Sequence, residues 1–201
     1  MPEQRKRADI TYNSSHNPHN DHWGSRRRFI KTGLLAIAAC SLPLPIQALA
    51  AHLPDKRRLQ LYNTHTNEKL NICYYENGRY IPDALSGISE LLRDHRTGDV
   101  KPIAPDLLDL LSAIGKRVGD SPPFHIISGY RSPVTNAMLR RKSNGVAKKS
   151  FHMMGRAVDI RIPSMRTARL REVAKKLRAG GVGYYAKSDF VHVDLGPVRH
   201  W

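Results

Sequence analysis

Two periodicities alternate along the chain from residue 58 onward and predict a mixture of strands and helices. Short runs that are alternating or continuously apolar, as strands require, are Arg58–Tyr62, Lys69–Tyr75, Phe124–Ser128, Arg156–Ile162, Val182–Tyr185 and Phe190–Val193. Runs with apolar residues at helical spacing are Asp83–His95, Pro105–Val118, Thr135–Arg141 and Met165–Ala179. An Asn77-Gly78 turn adds a further short strand. This order predicts an α+β fold with helices packed on an antiparallel sheet.

The first 50 residues follow neither period. Residues 1–24 are polar, and Ser25–Lys31 (SRRRFIK) then precedes an apolar stretch, Leu34–Leu44. A basic head, a short apolar segment and a small-residue cleavage site at Ala50 are typical of an export signal. The SRRRFIK segment resembles the twin-arginine signal, which implies a protein exported already folded to the periplasm. We therefore expect residues 1–50 to be a signal peptide with a polar extension, and residues 51–57 to be a linker.

Cys40 gives the same segment a second interpretation. Ile37–Cys40 resembles a lipoprotein cleavage box in which Cys40 carries the lipid, whereas cleavage after Ala50 removes that residue and leaves Cys73 as a lone thiol. Two cysteines make no disulfide framework. No apolar run reaches the roughly 18–20 residues of a bilayer span, which excludes a multi-pass membrane protein. Peripheral or lipid-anchored association with a membrane stays open.

Composition and charge narrow the class of partner. The chain has 201 residues, of which 40% are hydrophobic and 25% charged, as in an ordinary globular protein. Its formal charge is +16, and the first 50 residues hold seven basic and three acidic side chains, so +12 remains on residues 51–201. A basic domain indicates an anionic partner. No nucleic-acid reader motif is present, and an exported protein would not meet nucleic acid. The anions expected outside the cytoplasm are the carboxylates of cell-wall peptides and the headgroups of membrane lipids.

Two histidines and an aspartate suggest a metal site. His152 and Asp159 flank Gly155, which allows a sharp turn between a loop and the strand after it. His192 lies in the strand Phe190–Asp194, whose even positions share one face. Each residue alone is as well explained as an ordinary surface or capping residue. Together, two imidazoles and one carboxylate suit Zn²⁺ with a fourth position left for water.

The spacing around these residues carries a resemblance. The pattern S-x-H-x-x-G-x-A-x-D is matched by Ser150, His152, Gly155, Ala157 and Asp159. It resembles the signature of the D-alanyl-D-alanine zinc metallopeptidase superfamily, and the upstream Ser128–Ser132 (SGYRS) and the strand histidine His192 complete the likeness. The chain is most similar to a murein endopeptidase branch. The resemblance implies that residues 58–201 are a zinc peptidase domain, with one Zn²⁺ per chain bound at the sheet by His152, Asp159 and His192.

The resemblance also implies roles for neighbouring residues. Arg131 corresponds to an arginine that stabilises a developing oxyanion, because a fixed guanidinium opposes charge that forms in the transition state. Ser150 would orient the first metal ligand or contact the substrate, and Tyr130 would contact the substrate. Met153 and Met154 are explained equally well as pocket lining or as plain packing.

The general base is where the sequence departs from the family pattern. Many members have a glutamate three residues before the last ligand, and here that position is Asp189. Aspartate is shorter, and the odd spacing places it on the opposite strand face from His192. His200 is a second candidate, because histidine accepts protons near neutral pH. Asp194 shares the face of His192 and is a third candidate, or a residue that orients this ligand.

The expected function is hydrolysis of peptide cross-links between peptidoglycan stem peptides by a periplasmic zinc endopeptidase. Two alternatives remain open at this point. One is a carboxypeptidase that trims a terminal D-alanine, and the other is a non-catalytic wall-binding protein that keeps the fold. A monomer is expected.

Overall fold

A computed structural model describes residues 46–119, 122–143 and 145–201. The twin-arginine segment Ser25–Lys31 and Cys40 lie outside these residues. Ala50, the predicted cleavage position, ends the first described helix. Among the described residues, no helix has both the length and the apolar character needed to cross a bilayer.

The described elements confirm an α+β fold. The helices are α1 (Ile46–Ala50), α2 (Pro82–Leu91), α3 (Pro105–Val118), α4 (Pro133–Lys142) and α5 (Thr167–Leu177). The strands are β1 (Arg57–Asn63), β2 (Lys69–Glu76), β3 (Arg79–Tyr80), β4 (Pro123–Ser128), β5 (Ala157–Arg161), β6 (Gly181–Tyr185), β7 (Phe190–Asp194) and β8 (Arg199–His200). Short 3-10 turns are Phe151–Met154 and Ala186–Ser188. The predicted helix over Asp83–His95 ends early, because the Asp94 carboxylate accepts the N–H of Arg96 and stabilises a turn instead.

All eight strands form one sheet in the order β3-β2-β1-β4-β5-β7-β6-β8. The expectation of an antiparallel sheet is wrong in part, since β1 pairs with β4, and β6 with β8, in parallel. Between β3 and β4 the chain crosses one face of the sheet through α2 and α3, and it re-enters in the direction of β1. The sheet is therefore mixed but mostly antiparallel.

The hydrophobic core lies on the helical side of this sheet. The predicted apolar stripe of α3 is confirmed, because Leu107, Leu108, Leu111 and Ile114 are completely buried. Helix α5 contributes Leu170, Ala174 and Leu177, which belong to the same core as Val191 and Val193 of β7. The opposite face of the sheet is left for polar side chains and carries the metal-ligand candidates.

A buried ion pair ties β1 to α3. The Arg57 guanidinium lies 2.7 Å from Asp109 Oδ1, and the carboxylate of Asp109 is fully buried. Tyr74 and Tyr80 both donate their hydroxyl hydrogens to Asp109, at 2.9 and 2.7 Å. Arg57 also donates to the carbonyl of Ala50 in α1. Burial raises the pKa of both tyrosines and the negative Asp109 raises it further, so their hydroxyls stay protonated donors.

Replacing Asp109 tests this network. Asp109→Ala leaves a buried cation and two hydroxyls without their acceptor, so we expect the free energy of unfolding to fall by about 3–5 kcal/mol. Asp106→Ala, on the first turn of the same helix, removes only a helix-dipole interaction and is expected to cost under about 1 kcal/mol. Urea unfolding followed by circular dichroism measures both. Equal losses for the two variants would contradict a special role for the buried pair.

Candidate metal centre

His152 is positioned by a short 3-10 turn, Phe151–Met154, which is capped by Ser150 before it and Gly155 after it. Ser150 precedes the turn, and its hydroxyl oxygen accepts the N–H of His152 at 3.3 Å. Gly155 ends the turn in the left-handed region with φ of 64°. A Cβ at this position would lie 2.4 Å from the carbonyl oxygen of Pro102, so only glycine fits. The sequence-based expectation of a sharp turn at Gly155 is confirmed.

Asp159 and His192 are brought together by strand pairing. Asp159 on β5 stands directly opposite His192 on β7 in the antiparallel register. Opposed residues of neighbouring strands have Cβ atoms about 4.5–5.5 Å apart, so their side chains meet on the open face. Taken as whole residues, both are more than nine-tenths buried, as is His152.

The three predicted ligands converge on one point. The Nδ1 of His192 lies 2.9 Å from Asp159 Oδ1 and 3.2 Å from Nε2 of His152, and the distance from His152 Nε2 to Asp159 Oδ1 is 3.3 Å. Zinc–nitrogen and zinc–oxygen bonds of about 2.0–2.1 Å in tetrahedral geometry imply ligand atoms roughly 3.3 Å apart. The observed triangle therefore has the size of one face of a zinc tetrahedron.

The outer hydrogen bonds of both imidazoles fix which nitrogen faces this point. Nδ1 of His152 lies 2.7 Å from the carbonyl oxygen of Gly129, so it carries the hydrogen and leaves the Nε2 lone pair directed inward. Nε2 of His192 lies 2.8 Å from Asp194 Oδ2, which leaves the Nδ1 lone pair directed inward. Two lone pairs and a carboxylate then face one another, and such a donor set requires a cation.

The acidities of His192 and Asp159 agree with this requirement. Burial alone would lower the pKa of His192, but hydrogen bonds to Asp159 and Asp194 outweigh it and raise the pKa to about 9. Burial would raise the pKa of Asp159, and the two histidines lower it well below its ordinary value. In the absence of a metal, a proton on His192 thus supplies the positive charge.

Asp194 is held by a second set of bonds. Arg199 donates to both oxygens of its carboxylate, at 3.0 and 2.7 Å. The backbone N–H groups of Gly196 and Gly181 also donate to Oδ1. With these partners and His192, Asp194 orients a metal-ligand candidate and is not free to accept a substrate proton.

The Ser128–Ser132 loop brings Arg131 to the same centre. The guanidinium Nη2 of Arg131 lies 3.6 Å from Asp159 Oδ2, and the side chain is 12% exposed. Burial lowers the pKa of Arg131, and the charge of Asp159 partly offsets this. Asp94 holds the loop from behind, because its Oδ2 accepts the N–H of Ser132 at 2.8 Å.

A cleft of about 230 Å³ opens over the metal-ligand candidates. Its walls include side chains to which the sequence reasoning assigned no role: Tyr185, Phe190, Arg199 and Trp201. The Trp201 ring lies 5.4 Å from the ring of His192. It has room there because Gly183 has no Cβ; a Cβ at that position would collide with the Trp201 ring. Trp201 Nε1 donates to the Tyr185 hydroxyl. Alternation along Arg199–Trp201 is the sequence signal that could have placed both ends of that segment on this face.

The chain is similar to proteins of known name over most of its length. Peptidoglycan L,D-endopeptidase MepK of Escherichia coli strain K12 is 41% identical over 177 residues, which cover 88% of this chain and 97% of the relative. The probable peptidoglycan L,D-endopeptidase MepK of Haemophilus influenzae is 38% identical over 178 residues, covering 88% and 95%. The family model described as peptidoglycan L,D-endopeptidase MepK matches residues 51–201. The chain belongs to the MepK family. No solved structure matched it.

The MepK family match covers every residue of the centre described above. It starts at residue 51, directly after the predicted cleavage position. The division into signal peptide, linker and catalytic domain at residues 50 and 57 remains a prediction, although Arg57 itself is already part of β1.

Several predicted site residues lie away from the cleft of this MepK-family chain. Asp189 lies in the turn before β7 with φ of 52°, and its carboxylate accepts the hydroxyl hydrogen of Thr167. His200 is exposed and pairs with Val182, which lies on the opposite face of the sheet from His192. Tyr130 packs against the core instead of lining the cleft. The structure therefore brings neither Asp189 nor His200 to the metal-ligand candidates.

Residues Met153 and Met154 lie in the 3-10 turn that carries His152. Neither side chain lines the cleft, and Met154 is exposed. Ser150 does line it, in addition to capping the turn.

The buried carboxylate of Asp94 holds the Ser128–Ser132 loop and makes the free energy of unfolding depend on pH. Burial would raise the pKa of Asp94, but hydrogen bonds from Thr135, Ser132 and Arg96 lower it to about 2. A lowered pKa contributes stability above the ordinary value of 3.8, and this is lost as the pH falls through 2. We expect Asp94→Asn to be about 2 kcal/mol less stable than the unsubstituted protein at pH 6.

The difference in free energy of unfolding between the two proteins is expected to narrow from about pH 5 to about pH 3, because Asp94 of the unfolded chain takes up a proton in this range while Asp94 of the folded protein stays ionised. Urea unfolding at each pH measures it, with exposed Asp55→Asn as the matched control. A gap of constant size over this range would contradict the assignment.

Proposed function

We propose that this peptidoglycan endopeptidase holds one zinc ion between His152, Asp159 and His192 and hydrolyses peptide cross-links between stem peptides. The observation that carries the proposal is the triangle of three inward-facing acceptor atoms 2.9 to 3.3 Å apart. It has the chemistry and the size that zinc prefers, and it lies at the base of an open cleft. The relatives named above are peptidoglycan endopeptidases.

The residues around the triangle have separable tasks in such a reaction. A zinc ion bound there would polarise a carbonyl group and lower the pKa of water to about 7. Gly129 and Asp194 keep both histidines in the tautomer that binds a metal. Arg131 holds a fixed positive charge beside the centre, where it opposes negative charge that forms on a substrate carbonyl oxygen.

Charge and location support the proposed substrate. Peptidoglycan stem peptides carry carboxylates, and residues 51–201 keep a formal charge of +12. Lys149 and Arg199 stand in the cleft wall itself. Peptidoglycan lies outside the cytoplasm, so the substrate requires export, and the twin-arginine-like segment Ser25–Lys31 is the proposed route, with lipidation at Cys40 as the alternative end point.

The relatives' name specifies a bond between an L centre and a D centre, and we propose the same bond here. Zinc-loaded protein should be incubated with cross-linked muropeptide dimers and with uncross-linked pentapeptides, and the products separated by chromatography. Release of monomers from dimers with intact pentapeptides supports the endopeptidase. Loss of terminal D-alanine from pentapeptides with intact dimers would establish the carboxypeptidase instead.

Removing one ligand should abolish both metal binding and cleavage. We expect His152→Ala to lose its zinc and to cleave dimers no faster than chelator-treated protein, because two ligands hold the ion far less tightly than three. Metal analysis and dimer cleavage measure this, and exposed His65→Ala is the matched control that should keep both. A His152→Ala variant that retains zinc and activity would refute the ligand set.

Arg131 should affect the rate without affecting the metal. Arg131→Ala is expected to lower kcat by about 10²–10³-fold, the usual effect of losing one oxyanion donor, with KM changing much less. Zinc content should stay at one per chain. Arg79→Ala, at the far edge of the sheet on β3, is the control. Unchanged kcat in Arg131→Ala would remove this residue from the chemistry.

A further inference from the structure

The open face of the sheet carries one continuous row of cationic and aromatic side chains beside the metal centre. The row takes one residue from each of six neighbouring strands. Its members are Lys69 (β2), Tyr62 (β1), His125 (β4), Arg161 (β5), Phe190 (β7) and Tyr185 (β6). We call these six residues the basic–aromatic row.

The strand registers place the row in a single line. The paired positions are Lys69 with Tyr62, Tyr62 with His125, His125 with Arg161, and Phe190 with Tyr185. Ile160 of β5 pairs with Val191 of β7. Because the two strands are antiparallel, Arg161, which follows Ile160, lies opposite Phe190, which precedes Val191. Side chains of paired residues share one face, so the whole row lies on one side of the sheet.

Contacts within the row confirm this arrangement. The Tyr62 and His125 rings meet edge to face at 4.8 Å, and the Phe190 and Tyr185 rings stack at 4.5 Å. Lys69 Nζ lies 5.7 Å from the centre of the Tyr62 ring. Burial lowers the pKa of His125, and the positive charges of Arg161 and Lys69 lower it further.

The row runs directly alongside the metal-ligand candidates. Arg161 follows Asp159 by two residues on β5, and Phe190 precedes His192 by two on β7, a separation of about 6.6–6.8 Å on the same face. Phe190 and Tyr185 also line the metal cleft. At its other end the row borders a second hollow of about 650 Å³, lined by Tyr62, Lys69, His125 and neighbours on β1, β2 and β4. The row therefore links the cleft to this second hollow.

The side chains of the row lie on the open face and do not belong to the hydrophobic core. Lys69 is exposed, and Tyr62, His125 and Arg161 are half-buried, although the core lies on the other side of the sheet. The acidic group that faces the row is Asp189, 3.7 Å from Arg161 and itself largely exposed. Surface rings flanked by cations form a surface suited to a ligand with both apolar stems and carboxylates.

We propose that the basic–aromatic row binds the second peptide arm of a cross-link while the metal cleft holds the arm that contains the scissile bond. This inference rests on the proposed function. A cross-link joins two stem peptides, so an endopeptidase that cuts it must accommodate chain on both sides of the cut bond. Lys69 and Arg161 match the carboxylates of that arm, and Tyr62, His125 and Phe190 offer rings for its aliphatic portions.

Charge reversal at Lys69 tests the proposal with the zinc-loaded full chain. For a cross-linked muropeptide dimer we expect Lys69→Glu to raise KM about fivefold, because an exposed ion pair is lost and a repulsion is added. The expected kcat is unchanged. A short peptide that contains the scissile bond but no second arm should be cleaved with unaltered KM. Lys69→Arg keeps the positive charge, so its KM for the dimer should equal that of the unsubstituted protein.

The matched control is Lys176→Glu, an exposed charge reversal on α5 at the helical side of the sheet. It should leave the KM for both substrates unchanged. Equal KM values for Lys69→Glu and Lys176→Glu on the dimer would overturn the proposal while leaving the endopeptidase activity established.

A binding measurement separates failure of this inference from failure of the proposed function. If the unsubstituted protein cleaves neither substrate, the proposed function fails, and the row is then tested by calorimetric titration of the dimer in the presence of chelator. Weaker binding by Lys69→Glu than by Lys176→Glu supports the row, and equal binding overturns it. A loss of affinity seen only with peptide-free glycan strands would also overturn it, because the occupant would then be the glycan.

Discussion

The candidate metal centre depends on keeping three electron-pair donor atoms 2.9 to 3.3 Å from one another. His152, Asp159 and His192 face inward at 2.9 to 3.3 Å, and without a cation such an arrangement is repulsive. The outer partners, Gly129 and Asp194, prevent either imidazole from turning its hydrogen inward. The fold therefore holds a donor set that is complete only when a proton or a metal ion supplies the positive charge.

Each element around the centre fixes the position of one or two of its side chains. Pairing of β5 with β7 fixes Asp159 opposite His192, and the glycine-ended 3-10 turn fixes His152. The Ser128–Ser132 loop is held between this turn and the segment after α2. The backbone N–H of Arg131 donates to the carbonyl of His152, and the backbone N–H of Tyr130 donates to the carbonyl of Leu92. A change in either neighbour would move the guanidinium relative to the centre. Precision at the site is thus a property of the sheet and its first connections.

Local patterns predicted the parts of this structure that local physics decides. Alternation along β7 was enough to place His192 and Asp194 on one face, and helical spacing was enough to identify the buried stripe of α3. The parallel pairing of β1 with β4 joins segments some sixty residues apart, and no periodicity records which strands become neighbours. Alternation along Arg199–Trp201 would place Arg199 and Trp201 on one face and His200 on the other, but a strand of two residues such as β8 is too short to be recognised as a strand from its sequence. The direction of the Asp189 side chain could not be predicted either, because Asp189 itself has a left-handed backbone conformation in the turn before β7.

Charge balance explains why two arginines accompany the two carboxylates. Asp159 faces Arg131 at 3.6 Å and Asp194 binds Arg199 at 2.7 Å, so these four formal charges cancel. Extra carboxylates would strengthen the hold on a divalent ion but would also neutralise it. With the surrounding charges balanced, a metal ion bound at this position would keep its positive charge available to an approaching carbonyl oxygen. Under the proposed function, this balance of charge would favour attraction of a substrate oxygen over the tightest possible binding of the metal.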